Sequence, residues 1–206
     1  MKYPLYLASG SAGRKELLSA AEIPFTLINH DADETTVSLD RPLPEVVTEI
    51  AQLKMKHALL PNGKIDGSIV FVLTADTLTL KGSPESFEIF GKPKDRDHAR
   101  YMLQTARQGS ITGTGFCIAK KIWKENKWHD LDVQTGYAEG EIIINIPDDW
   151  IDFYLDRIDF LNVSGAIKIR GLCEQFTQEV QGSYSAIIGL PMYEVRSTLE
   201  TMGFYS

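Results

Sequence analysis

Apolar positions follow two rhythms along this chain. Leu5-Tyr6-Leu7-Ala8 is a short apolar run, and Leu17, Leu18 and Ala21 then recur at helical spacing. Short continuous apolar runs read as buried strands, and three-to-four-residue spacing reads as helix. The pattern predicts a strand over Leu5–Ala8, a helix over Arg14–Ala21 and a second strand over Phe25–Ile28, entered after Pro24. Pro44–Leu60 predicts an amphipathic helix with the stripe Val46, Val47, Ile50, Leu53 and Ala58, stopped by Pro61-Asn62-Gly63. Ile69–Ala75 is apolar throughout, as in a buried central strand. Thr77–Lys81 either extends it or opens a hairpin, and Lys81–Gly91, with Gly82 and Pro84, predicts a loop. Asp95–Ala106 predicts a helix with Ala99, Met102 and Leu103 inward. Thr112–Lys121 and Gln134–Ile144 alternate like strands, around a polar turn covered by Trp123 and Trp128. Pro147–Leu155 predicts a helix with proline in its first turn, and Met192–Met202 a last one. Gly165, Gly171, Gly182 and Gly189 punctuate the remainder, as turns or as places where backbone meets a ligand. Strands alternating with helices predict an α/β protein with a mixed sheet.

Composition narrows this. A chain of 206 residues suits a single domain spanning residues 1–206. The net charge of -7 argues against nonspecific binding to nucleic acid, which needs a basic face. It leaves room for a small anionic substrate held by a local basic cluster. Cys117 and Cys173 lack metal-ligand spacing and read as reduced thiols, which predicts a cytoplasmic protein. No leader pattern opens the chain, and no apolar run has the length of a membrane span, so no membrane association is expected.

The chemistry concentrates in a few places. Ser9-Gly10-Ser11 with Arg14 joins the first strand to the first helix. Free N–H groups, serine hydroxyls and the helix dipole can all face a phosphate there. The P-loop pattern is absent, and Ser11 also reads as a plain N-cap. Asp31, Asp33 and Glu34 follow the second strand, Asp76 follows the apolar run, and Lys92 is held between Gly91 and Pro93. All three places lie beyond strand ends, where open α/β sheets bind ligands. Asp76 reads either as a turn residue or, with Glu34, as a ligand for Mg²⁺ or Mn²⁺. Taken alone, Glu34 reads as a solvated acid and Lys54 as a lysine on an exposed helix face. His30, His57, His98 and His129 show no ligand spacing and read as surface or core residues.

Taken in order, these segments resemble the Maf-like nucleoside triphosphate pyrophosphatases. The resemblance rests on Ser9-x-Ser11-x-x-Arg14-x-x-Leu17-Leu18, Asp33-Glu34, Ala51-x-x-Lys54, Ala75-Asp76-Thr77 and Gly91-Lys92-Pro93. Ala99-x-x-Met102-Leu103, Thr114-Gly115 and Gly182-Ser183-Tyr184-Ser185-x-x-x-Gly189-Leu190-Pro191 complete it. It implies an elongated mixed sheet with flanking helices and two lobes around a central cleft. It also implies metal-dependent hydrolysis of a nucleoside triphosphate to monophosphate and pyrophosphate, and a homodimer. By position, it implies Asp76 as general base and Glu34 as metal or water ligand. Lys54 and Lys92 would then contact phosphates, and Ser9, Ser11 and Arg14 would form the phosphate loop.

The chain also departs from that family. Members carry a proline and a large residue, often arginine, where this chain has Ala12 and Gly13. The small Gly13 predicts extra room nearby. Members selective for thymidine or uridine triphosphates carry Asp-Lys-Ala-Gly and a later glutamine, where this chain has Asn162-Val163-Ser164-Gly165 and Arg170. Arg170 is therefore expected to face the base, or else to form a surface ion pair. A base-facing guanidinium, which only donates hydrogen bonds, predicts a purine, modified-base or broad preference. The competing reading is a catalytically weak nucleotide-binding regulator of division or growth.

Overall fold

The structure is a computed structural model that describes residues 2–63, 65–83 and 86–206. β1 (Leu5–Ala8), α1 (Ala12–Ala20) and β2 (Thr26–Ile28) open the chain, and α2 (Leu43–Lys56) leads to β3 (Ile69–Ser83). β4 (Ser86–Phe90), α3 (Arg96–Thr105), β5 (Ser110–Lys124) and β6 (Lys127–Ile144) follow. α4 (Asp148–Leu155), β7 (Thr177–Gly182), α5 (Tyr184–Ile188) and α6 (Met192–Thr201) complete it. The mixed sheet has seven strands in the order β2-β1-β3-β5-β6-β7, with β4 on the same edge of β3 as β1, farther along the strand. β1 is parallel to β2 and β3, and the other pairings are antiparallel.

Most predicted elements are present, with some differences. β3 continues past Ala75, as one reading of Thr77–Lys81 had it, and pairs antiparallel with β4, so much of the expected Lys81–Gly91 loop is strand. Pro84, part of that expected loop, lies outside the described residues. The polar residues that hide this strand are paired: the Thr77 hydroxyl lies 2.9 Å from that of Thr114, and Thr79 lies 3.1 Å from Thr112. α2 stops at Lys56, short of Leu60, because the next residues turn back to β2. Leu59 N donates to Asn29 O at 2.9 Å, and Asp31 N to His57 O at 3.2 Å. β5 and β6 meet at a two-residue turn, Glu125-Asn126, with both φ angles positive, as tight hairpins require. Trp123 and Trp128 pair across it, ring centroids 5.2 Å apart. β7 and α5 have no counterpart in the predicted elements. β7 is a polar edge strand with no apolar rhythm, and α5 is one short turn started by Ser183, whose hydroxyl accepts from Ala186 N.

Each face of the sheet is covered. α2 packs Val46, Val47 and Ile50 near Leu78, and Ala51 and Met55 near Val72 and Cys117. On the other face, one core joins Leu18, Phe71, Phe116 and Leu199, and a second, farther along the long strands, joins Leu103, Ile142, Tyr154 and Cys173.

The registers leave a gap in the middle of β3. β1 reaches only to Leu73, and β4 begins pairing at Thr79. Between them, Thr74–Leu78 have no strand on that edge among the described residues. The carboxyl ends of β1 and β4 both run toward this gap, so the turns after Ala8 and Phe90 open onto it.

Candidate active site

Asp76 stands in the middle of the gap. Alternate residues of β3 point to opposite faces, and Thr74 and Asp76 face α2. The Thr74 hydroxyl donates to Ala51 O at 2.7 Å, which fixes α2 against the strand. One turn on, Lys54 Nζ reaches Asp76 Oδ1 at 2.7 Å. The same ammonium lies 2.9 Å from Glu34 Oε2. Glu34 starts a 3-10 turn, Glu34–Thr36, capped by Asp33, whose carboxylate accepts from Thr35 N at 3.1 Å. The Thr35 hydroxyl, which donates to the same oxygen at 2.6 Å, and that N–H hold the Asp33 carboxyl below its ordinary range. Lys54 is therefore not the exposed helix lysine that the pattern suggests: it is 6% exposed and bridges two carboxylates.

The opposite face of β3 carries Arg14. Its Nε donates to Gly189 O at 2.8 Å, Nη1 to Ser9 Oγ at 2.8 Å and Nη2 to Thr77 Oγ1 at 3.0 Å. Thr114 then donates to Ala186 O at 2.7 Å, tying the arginine to α5. Burial pulls the proton affinity of Arg14 down, and the charges of Asp76 and Glu34 push it back up. A guanidinium has five N–H donors, and these three bonds leave two for a ligand. Ser9 Oγ also accepts from Ser11 N at 3.3 Å, and Ser11, at the N-cap of α1, makes no capping bond with its own side chain.

Gly13 creates no room. A Cβ there would stand 2.8 Å from Ile188 O and 3.2 Å from Ile188 Cγ2, so its missing side chain is the space that α5 occupies.

Other predicted site residues stand farther out. Lys92, two residues after β4, is exposed, with no hydrogen bond or ion pair among the described residues. Arg170 pairs with Glu16 of α1, which is the surface ion pair weighed against a base-facing role. His30 had read as an ordinary surface or core residue. The charges of Lys54, Glu34 and Arg14 act on it, burial lowers its proton affinity, and its Nδ1 is buried without a hydrogen bond. Thr77, Thr114 and the Gly189 carbonyl also belong to the site. All three stand in motifs of the family resemblance, which gave them no role of their own.

The donor set suits a hard divalent cation. Asp76 Oδ2 is buried and accepts no hydrogen bond, and Glu34 brings a second carboxylate to the same ammonium. No cluster of three or more candidate ligands occurs among the described residues. Two carboxylates suffice for an ion that keeps waters and takes phosphate oxygens as further ligands.

The sequence was compared with known proteins. The family described as "Maf-like protein" matches residues 4–202. A protein of Hydrogenovibrio crunogenus named dTTP/UTP pyrophosphatase is 33% identical over the full length of both chains. Proteins of the same name from Alkaliphilus oremlandii and Acholeplasma laidlawii are 30% and 32% identical, covering 93% and 95% of this chain and 92% and 95% of their own. With the match running almost end to end, the chain belongs to the Maf-like family.

Proposed function

We propose that this protein hydrolyses a nucleoside triphosphate to the nucleoside monophosphate and pyrophosphate, clearing unusual or excess nucleotides. The supporting observation is the pairing of Lys54 with Asp76 and Glu34 at the sheet gap, with Asp76 Oδ2 unpaired and Arg14 close by. In this reading a water attacks the α-phosphorus and Asp76 Oδ2 takes its proton. The new bond forms between water oxygen and phosphorus, and the bridging bond to the β-phosphate breaks, releasing pyrophosphate. Phosphoryl transfer needs position and charge neutralisation more than covalent help. Lys54 and the two unused N–H groups of Arg14 supply charge, with Ser9 and Ser11 as the phosphate turn and Lys92 reaching in from the rim. Asp76 and Glu34 would hold Mg²⁺ or Mn²⁺, which neutralises phosphate charge and acidifies bound water.

The named relatives point to pyrimidine triphosphates, and the Glu16 pairing of Arg170 weakens the case for a purine preference. A homodimer and a cytoplasmic, single-domain protein complete the proposal. The two buried, unpaired cysteines fit a reducing compartment. No helix among the described residues is long and apolar enough to cross a membrane. The test is incubation with each nucleoside triphosphate and Mg²⁺ or Mn²⁺, followed by product analysis. Monophosphate with pyrophosphate is expected. Orthophosphate as the primary product, or binding without turnover, would overturn the reading. Light scattering checks the dimer.

A further inference from the structure

Lys81 is the one buried lysine of β3 that the proposed reaction does not use. It follows Thr77 and Thr79 on the face away from α2 and is 2% exposed. Its Nζ donates to Met102 O at 2.6 Å and to Gly165 O at 3.2 Å, and lies 5.4 Å from the Phe90 ring centroid. No carboxylate pairs with it among the described residues. Burying a charge without a counter-charge is costly, and an apolar side chain would fill the space more cheaply. Met102 O already accepts a helical bond from Ala106 N, so α3 does not need the lysine.

The turn at Ser164-Gly165 is the other partner, and it joins two predicted site segments. Gly165 N donates to Gly91 O at 2.9 Å, and Ser164 Oγ donates to Phe90 O at 3.1 Å. Ser164 Oγ also lies 3.2 Å from Thr79 Oγ1. Gly91 directly precedes Lys92, and the chain leaving Gly165 runs to Arg170. Gly165 itself has φ +65°, a left-handed position that a side chain would strain.

We propose that Lys81 is a positioning residue whose ammonium locks the Ser164-Gly165 turn to β3 and α3, and so sets where Lys92 and Arg170 stand against a bound nucleotide. The role rests on the nucleotide-hydrolysing reading above. Burial without an acidic partner lowers the Lys81 pKa to about 7. The charged groups on neighbouring elements do not offset this. Arg96 and Arg100 of α3 pair with Asp152, while Asp97, Glu88 of β4 and Lys168 after the turn are exposed. Charge-assisted bonds are roughly twice as strong as neutral ones. The lock is therefore tight while the ammonium is charged and looser once it loses its proton.

The experiment compares the parent with Lys81→Met and Lys81→Gln. It measures kcat and KM over roughly pH 6 to 9, together with amide hydrogen exchange of residues 164–171. In Lys81→Met, KM should rise about 5-fold or more while kcat stays within about 2-fold, the signature of lost binding rather than lost chemistry. The parent's KM should rise on passing through neutrality, that rise should be missing in Lys81→Met, and the variant's 164–171 amides should exchange faster. Lys81→Gln keeps a neutral donor, so it should give an intermediate KM with no pH step. It also serves if Lys81→Met does not fold. Unchanged exchange overturns the lock. Faster exchange with an unchanged KM and pH profile overturns the positioning role. A parent that turns over no nucleoside triphosphate defeats the function proposed above, and the exchange result still decides whether Lys81 holds the turn.

Discussion

Lys54 neutralises two carboxylates at once, so its removal strands the buried one. Breaking a buried ion pair by deleting one partner typically costs about 3–5 kcal/mol. Lys54→Met should therefore lower the urea midpoint clearly, and added Mg²⁺ should recover part of the loss by binding Asp76 and Glu34. Asp76→Asn is gentler to the fold, because an amide oxygen can still accept from Lys54. It removes the base, so kcat should fall by about 10²-fold or more while circular dichroism stays unchanged. A near-normal kcat would remove Asp76 from the mechanism. Arg170→Gln separates two roles. A change in kcat/KM confined to some bases places the guanidinium on the base, and a uniform change leaves it as the partner of Glu16. At this scale the sequence displayed residue types well, and their surroundings poorly. Nothing local to Lys54 announces that β3 and the 3-10 turn place acids on either side of it, and nothing near His30 announces Lys54.

Among the elements, α2 brings Lys54 and α1 brings Arg14 to the site, and glycines let both helices sit where they do. A Cβ on Gly115 of β5 would stand 2.6 Å from Thr48 N and 2.7 Å from Val47 O, so α2 lies directly on the strand's backbone. Gly115→Ala must push α2 outward, and Lys54 with it. Overpacking of this kind costs about 1–3 kcal/mol. The variant should melt earlier and lose turnover beyond what its folded fraction explains, as measured by calorimetry and kcat on the same samples. Gly13→Ala should also melt earlier, because the Ile188 carbonyl of α5 cannot yield as a flexible side chain does. In β3 the pattern showed Ile69–Ala75 and offered Thr77–Lys81 as its extension, and it fell short at the loop expected over Lys81–Gly91, where β4 pairs with Thr79–Ser83. The gap beside Asp76 follows from pairing registers that no single segment contains.

At the scale of the whole molecule, charge linkage makes the Lys81 site visible in stability. Its folded pKa of about 7 lies below the ordinary 10.5, so between those values the unfolded chain binds more protons than the folded one. Stability then rises with pH through that window. Lys81→Met lacks this term. Its stability relative to the parent should be greatest below about pH 7 and should shrink steadily toward 10.5, read as the difference in denaturation midpoints. A constant difference would show that Lys81 is not charge-shifted by burial. Chelation is a second global test: excess EDTA should abolish turnover, and Mg²⁺ or Mn²⁺ should restore it, since Asp76 and Glu34 bring hard carboxylate oxygens to the site.

The sequence by itself determined the alternation of strands and helices, the strand–turn–helix opening that carries Arg14, and the ordered motifs that mark the family. These are local properties, written in apolar spacing and short-range residue choice. Only the tertiary structure decided that β1 and β4 stop on either side of Asp76, that Lys54 is buried between Asp76 and Glu34, that Gly13 is filled by α5, and that the Lys81 ammonium is buried against the Met102 and Gly165 carbonyls. Each of these depends on strand register or on contacts between residues far apart in the chain. Burial and charge pairing are set by which distant groups arrive, and a linear pattern carries no distance between them.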